Sequence, residues 1–198
     1  MKAEVDLVTS AGGNLGSISR CLRRLGIVYN LSSPENPPQG DLPIILPGVG
    51  HFGAVMNSLC QENFDRTICS AVRGGTPFLG VCVGMQILFQ SSEEAPGVKG
   101  LGLIPGAVRK FKTGKVPQIG WNEIGPQNDL TWPKGFVYFV NSYYPDPERA
   151  SDTLYQSQYY GPFCAAVKTG NITAFQFHPE KSGEFGESLL KRWLRSVA

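Results

Sequence analysis

The first half of the chain alternates two hydrophobic rhythms. Short, nearly continuous apolar runs at residues 5–8, 27–31, 44–46 and 78–81 are separated by stretches in which apolar residues recur every three or four positions. Runs of that length predict strands buried on both faces, and the longer period predicts amphipathic helices. Ile18, Cys21, Leu22 and Leu25 mark one such helix, with Gly26 as its stop. Residues 55–72 carry helical patterning broken near Asn63, and residues 84–89 predict the start of a further helix. Ser10-Ala11-Gly12-Gly13-Asn14 reads as a turn, and the proline-rich residues 33–43 read as a loop. Strand–helix alternation with short apolar strands predicts a mostly parallel central sheet flanked by helices.

The second half changes character. Residues 108–111, 118–124, 136–140, 153–159, 163–168 and 172–177 all read as strands joined by Gly, Pro and Asp turns, several of them antiparallel. Leu189, Leu190, Trp193 and Leu194 then mark a closing amphipathic helix that begins near Glu184. The expectation is an α/β fold with an additional antiparallel sheet portion in the second half. With no repeat, low-complexity tract or linker in the pattern, a single domain is expected over residues 1–198.

Composition narrows the function classes. A content of 41% hydrophobic and 17% charged residues is that of a globular chain. A net charge of +2 gives no electrostatic argument for nucleic acid or an anionic membrane as partner. No apolar run approaches a membrane span, and Asp6 stands where a signal peptide would begin its apolar stretch. A cytoplasmic protein is expected. The 5 cysteines are odd in number, contain no C-x-x-C and lie at no zinc-ligand spacing from the 2 histidines. Neither a disulfide framework nor a metal site is therefore expected.

The chemistry concentrates in two segments. Gly80-Val81-Cys82-Val83-Gly84 has the form G-x-C-x-G between a predicted strand and a predicted helix, the frame of a nucleophile elbow. Glycines flank such a turn because side chains there would crowd the crossing strand and helix. A helix N-terminus and a neighbouring imidazolium both favour a thiolate, and the backbone N–H of Val83 is placed to serve as an oxyanion donor. For Cys21, Cys60, Cys69 and Cys164 the plain reading is that of small hydrophobes. For Cys82 the frame alone leaves both readings open.

The second segment is Phe175-Gln176-Phe177-His178-Pro179-Glu180. Pro179 holds His178 extended, and residues two apart in extended chain face the same side. Glu180 thus comes within reach of the imidazole, as a base and its orienter require. Taken alone, a capping or core histidine is the plainer reading. His51, the other histidine, has no nearby carboxylate in sequence and reads as a loop residue flanking a ligand site. It follows Pro47-Gly48-Val49-Gly50, a loop whose glycines let backbone N–H groups turn toward an oxyanion. A plain strand-to-helix turn accounts for that loop equally. The glycines of residues 10–16 match neither common phosphate-binding spacing.

Together these motifs resemble the class I, triad-type glutamine amidotransferases. Gly80-Val81-Cys82-Val83-Gly84-Met85-Gln86 resembles that family's nucleophile motif, and Phe177-His178-Pro179-Glu180 its His-x-Glu motif. A narrower resemblance is to the branch of glutaminase subunits that serve imidazole glycerol phosphate synthases in histidine biosynthesis. It rests on Pro47-Gly48-Val49-Gly50, Ser92-Glu93-Glu94, Pro117-Gln118-Ile119-Gly120-Trp121-Asn122, Tyr138-Phe139-Val140-Asn141-Ser142-Tyr143 and Lys181-Ser182-Gly183.

The resemblance implies that Cys82 attacks the glutamine amide, that His178 protonates the departing ammonia, and that Glu180 orients the imidazole. It implies Val49 and Val83 as oxyanion donors and Gly50, Gln86, Glu94, Ser142 and Tyr143 as holders of glutamine. It further implies delivery of ammonia to a separate (β/α)₈-barrel synthase (cyclase) subunit in a heterodimer, with Trp121, Asn122, Tyr138 and Lys181 at the interface. No cofactor is implied. The chain departs from the family pattern at Asn141, where histidine is common, at Ser10, where tyrosine is common, and at Val83, where leucine is usual. Three other readings stand beside this one: a related amidotransferase feeding a different synthase, a non-catalytic regulator with the same fold, and a Cys-dependent peptidase or esterase. Intact Cys82, His178 and Glu180 weigh against the regulator.

Overall fold

A computed structural model describes residues 4–9 and 15–197; the expected turn at residues 10–14 lies outside the described residues. The first half forms β1 (Glu4–Val8), α1 (Leu15–Arg24), β2 (Val28–Ser32), β3 (Ile44–Gly48), α2 (Phe52–Gln61), α3 (Phe64–Arg73), β4 (Phe78–Cys82) and α4 (Val83–Gln86). The second half forms β5 (Ser91–Ser92), β6 (Gly106–Lys110), β7 (Gln118–Pro126), β8 (Gly135–Asn141), β9 (Tyr143–Pro147), β10 (Thr153–Gln158), β11 (Pro162–Thr169), β12 (Ile172–Phe175) and α5 (Gly183–Val197). Among the described residues no helix is long and apolar enough to cross a membrane.

The large sheet has 9 strands in the order β2-β1-β3-β4-β12-β11-β10-β7-β8. The first five run parallel, and β11, β10, β7 and β8 continue it antiparallel. Every residue of β4 and of β12 is buried, as strands covered on both faces require. The expected α/β architecture, with a parallel part and an antiparallel extension, is the one observed. A separate small sheet, β5-β6-β9, lies beside it.

Asn63 separates α2 from α3 at φ 58°, a left-handed turn that breaks the helical pattern where the sequence predicts a break. Three expectations need correction. The helix after Cys82 stops at Gln86 instead of running toward residue 89. The carbonyls of Ile87, Leu88 and Phe89 accept hydrogen bonds from the backbone of residues 101–104, which takes them out of any helical ladder. The strand expected over residues 172–177 ends at Phe175. The pattern also missed β9, whose Pro145 and Pro147 read as turn residues; it is an edge strand, where the missing N–H groups cost no ladder bond.

The decisive feature is where β12 falls. It comes late in the chain but inserts next to β4, with Ala174 opposite Gly80 and Phe175 opposite Val81. On the other side of β4, Gly48 of β3 lies opposite Cys82. The ends of β3, β4 and β12 therefore converge, and the segments that leave them carry Val49, Cys82 and His178.

Candidate active site

Cys82 sits at the junction of β4 and α4 with φ 57° and ψ −113°, a backbone state that L residues rarely adopt. Holding a residue there costs about 1–3 kcal/mol and persists only where the surroundings enforce it. The surroundings are three glycines. A Cβ on Gly80 would lie 2.5 Å from the Gly84 carbonyl oxygen, and one on Gly48 2.8 Å from the Gly84 nitrogen. A Cβ on Gly84 would collide with the Leu46 carbonyl oxygen. Close approach of β3, β4 and α4 thus requires glycine at all three positions, and it forces the turn that lifts Cys82 off the sheet.

His178 follows β12 in extended conformation, and residues 179–181 curl into a single 3₁₀ turn. The curl brings Glu180 back so that its Oε1 lies 2.9 Å from His178 Nδ1. Both side chains are nearly buried, with 4% and 7% exposure. The main chain here is anchored to β8 and to Ser182, just ahead of α5: His178 N–H donates to the Tyr138 carbonyl, the Ser182 hydroxyl donates to the His178 carbonyl, and Tyr138 N–H donates to Ser182 Oγ. Burial by itself would lower the imidazole pKa. The Cys82 side chain and the Glu180 carboxylate both favour the protonated ring, and together they push it up to about 10. Since Nδ1 faces Glu180, the other ring nitrogen is left for the sulfur.

A cavity of about 300 Å³ opens over Cys82 and His178. Val49, Gly50, Val83, Gln86, Glu94, Ser142, Tyr143 and Lys181, all singled out in the sequence, line it as well. Glu180 stands behind His178, outside this cavity. The Gln86 amide is fixed by donating to the Tyr143 carbonyl at 3.2 Å and to Gln176 Oε1 at 3.0 Å. Glu94 Oε2 accepts from the Phe52 N–H at 2.6 Å, at the start of α2. His51 caps α2, its Nδ1 accepting from Gly53 N–H at 3.1 Å; that nitrogen is thereby committed, and His51 is absent from the cavity lining.

Sequence reasoning passed over Gln176. It is fully buried, and its Nε2 points at Cys82 Sγ across 3.8 Å. The signal was present: a polar residue between two phenylalanines, next to a strand whose neighbours are buried on both faces, needs a polar partner.

The four residues assigned to an interface divide. Along β7 and β8 the register sets Ile119 opposite Val140, Trp121 opposite Tyr138 and Glu123 opposite Phe136 on one face. Ile119, Trp121 and Phe136 on that face are 63%, 57% and 57% exposed, an apolar surface at the sheet edge. Trp121 and Tyr138 touch edge-on, with ring centroids 6.1 Å apart. Asn122 points to the opposite face, where its Nδ2 donates to the Gln158 carbonyl at 2.7 Å and ties β7 to β10. Lys181 is exposed and lines the cavity.

Comparison with known proteins agrees with the geometry. The family model for class I glutamine amidotransferases matches residues 7–197. The chain is 41% identical to imidazole glycerol phosphate synthase subunit HisH of Deinococcus radiodurans over 203 aligned residues, covering 98% of this chain and 94% of that protein. It is 40% identical to the chloroplastic imidazole glycerol phosphate synthase hisHF of Arabidopsis thaliana, covering 96% of this chain but 34% of that longer protein. Among solved structures, PurLQS from Thermotoga maritima superposes with a TM-score of 0.78 at 19% identity over 100% of both chains, a likeness of fold. A family match over nearly the whole chain, and relatives at this identity over nearly their full length, establish that this chain belongs to the class I glutamine amidotransferases.

Proposed function

We propose that the chain is the glutaminase subunit of an imidazole glycerol phosphate synthase, one glutaminase domain working in the cytoplasm for histidine biosynthesis. The observation that carries the mechanism is the placement of Cys82, at a strained elbow, in one cavity with His178, whose ring Glu180 holds at 2.9 Å. The Cys82 thiolate adds to the side-chain carbonyl carbon of glutamine. The oxyanion that forms is received by the backbone N–H groups of Val83 and Val49. His178 gives its proton to the amide nitrogen, the C–N bond breaks, and ammonia leaves a glutamyl thioester. Water then adds to the thioester, His178 takes its proton, and the C–S bond breaks to release glutamate. Gln86, Glu94, Gly50, Ser142 and Tyr143 hold the substrate; the Glu94 carboxylate suits its ammonium group. A cavity of about 300 Å³ suits one amino acid.

The ammonia goes to a (β/α)₈-barrel synthase subunit seated on the apolar face of β7 and β8. That protein, not this one, performs the lyase step. The fused hisHF relative, in which the matched region forms 34% of one longer protein, supports such coupling. The backbone bond from His178 N–H to the Tyr138 carbonyl gives the docked face a direct link to the base. The test mixes the chain with the barrel subunit and its nucleotide ligand and follows glutamate release. Cys82→Ala should abolish glutamate release while ammonia-dependent synthesis by the partner continues; loss of both activities would refute the ammonia-donor reading.

A further inference from the structure

Gln118 and Asn141 stand opposite one another at the end of the β7–β8 ladder, on its inner face. They are 3% and 5% exposed. Gln118 Oε1 and Asn141 Oδ1 are buried acceptors with no hydrogen-bond partner among the described residues. The orientation of the Asn141 amide is fixed, because its Nδ2 donates at 3.0 Å to the Tyr143 carbonyl, which can only accept. Asn141 lines the cavity that holds Cys82 and His178, as does Pro117, the neighbour of Gln118. The adjacent cross-strand pair, Ile119 and Val140, points the other way, into the exposed apolar face. Asn141 thus borders the cavity that holds the reacting sulfur, and Gln118 pairs with it across the ladder, on the face away from the surface proposed to receive the partner.

Buried acceptors left without donors are costly, and two on facing positions of one ladder suit a small guest rich in donors. Ammonia has three N–H groups. It has a further requirement: a group that held it by giving it a proton would turn it into ammonium, which has lost its nucleophilic lone pair. Primary amides accept hydrogen bonds and have no acidic proton to lose near neutral pH.

We propose that Gln118 Oε1 and Asn141 Oδ1 form a binding site for neutral ammonia, which holds the molecule released at Cys82 before it crosses to the partner subunit. The inference rests on the glutaminase reading above. Its test uses the reconstituted complex and measures synthase product formed per glutamate released, together with ammonia escaping to bulk solution. Gln118→Met, close in shape but without a side-chain oxygen, should lower product per glutamate by about threefold, the scale of one modest hydrogen bond, with the missing nitrogen recovered as free ammonia. Synthesis from added ammonium salt should be unchanged. Asn141→Leu should lower the same ratio, and it serves if Gln118→Met does not fold. A purely structural role would depress both rates together and leave the ratio intact. So would a site occupied only by water, and an unchanged ratio in both variants overturns the proposal. If the unmodified complex releases no glutamate, the glutaminase reading itself fails, and this inference fails with it.

Discussion

Replacing Glu180 by glutamine isolates the electrostatics of the candidate site, because it keeps the side chain's shape and removes its charge. The His178 ring is nearly buried, and its Nδ1 lies 2.9 Å from Glu180 Oε1. A hydrogen bond to a charged group contributes about 1.5–3 kcal/mol and a neutral one about 0.5–1.5 kcal/mol. The exchange therefore removes roughly 1–1.5 kcal/mol of preference for the protonated ring, or about one pKa unit. The Cys82 interaction remains, so the imidazole should titrate about one unit below its starting value of about 10. The chain has only 2 histidines, so ring-nitrogen NMR resolves His178 with His51 as internal reference.

Stability gives a second readout with a defined sign. The folded pKa of about 10 lies above the ordinary histidine value of 6.5. The stabilisation from charging His178 is thus fully present below pH 6.5 and is lost as pH rises toward 10. Chemical denaturation should show the variant about 1.4 kcal/mol less stable near neutral pH, with the gap closing above the folded pKa. Glutamine hydrolysis in the complex should fall by about 10²-fold or more, since a neutral amide neither fixes the tautomer nor stabilises the imidazolium. An unchanged or higher His178 pKa in the variant would refute the reasoning.

Further expectations test other parts of the architecture. Gly84→Ala drives a Cβ into the Leu46 carbonyl, which should cost about 1–3 kcal/mol and roughly 2–4 °C of Tm for each. Gly125→Ala, with nothing within 4 Å of its Cβ, is the control, and equal melting of the two variants would sink the close-approach argument. A glutamine-analogue electrophile should modify Cys82 alone by peptide mapping. Burial pushes Cys21 to about 11 and Cys164 to about 12, and also raises Cys60 and Cys69, so labelling at any of these four counts against the assignment. Trp121→Ala should weaken partner binding about tenfold or more by calorimetry without altering the melt, as expected for an exposed aromatic anchor; unchanged affinity would move the docking surface elsewhere.

Much of this was legible in the linear pattern. Buried strands separated by amphipathic helices appear as such because their periods differ. The elbow around Cys82 is visible because only glycine tolerates that crossing. The His178–Glu180 pair is nearly visible because the two residues are neighbours in sequence, although extended geometry alone would not have supplied the 3₁₀ curl that closes their contact. Asn122 shows the converse. It sits next to Trp121 in a motif read as interfacial, yet strand alternation turns it to the other face and onto Gln158.

What the sequence by itself determined is local: which segments are strands, where the backbone must turn sharply, and which side chains have the chemistry of nucleophile, base and orienter. What only the tertiary structure decided is which distant segments meet. The parallel register of β12 against β4 brings residue 178 beside residue 82, and that of β3 against β4 brings the Val49 loop to the same sulfur. Strand order depends on which long-range pairings bury the most surface together, and no single segment's pattern contains that sum. The same holds for Gln176 on the thiol and for the unpaired oxygens of Gln118 and Asn141, whose significance arises from what folding places around them and what it leaves out.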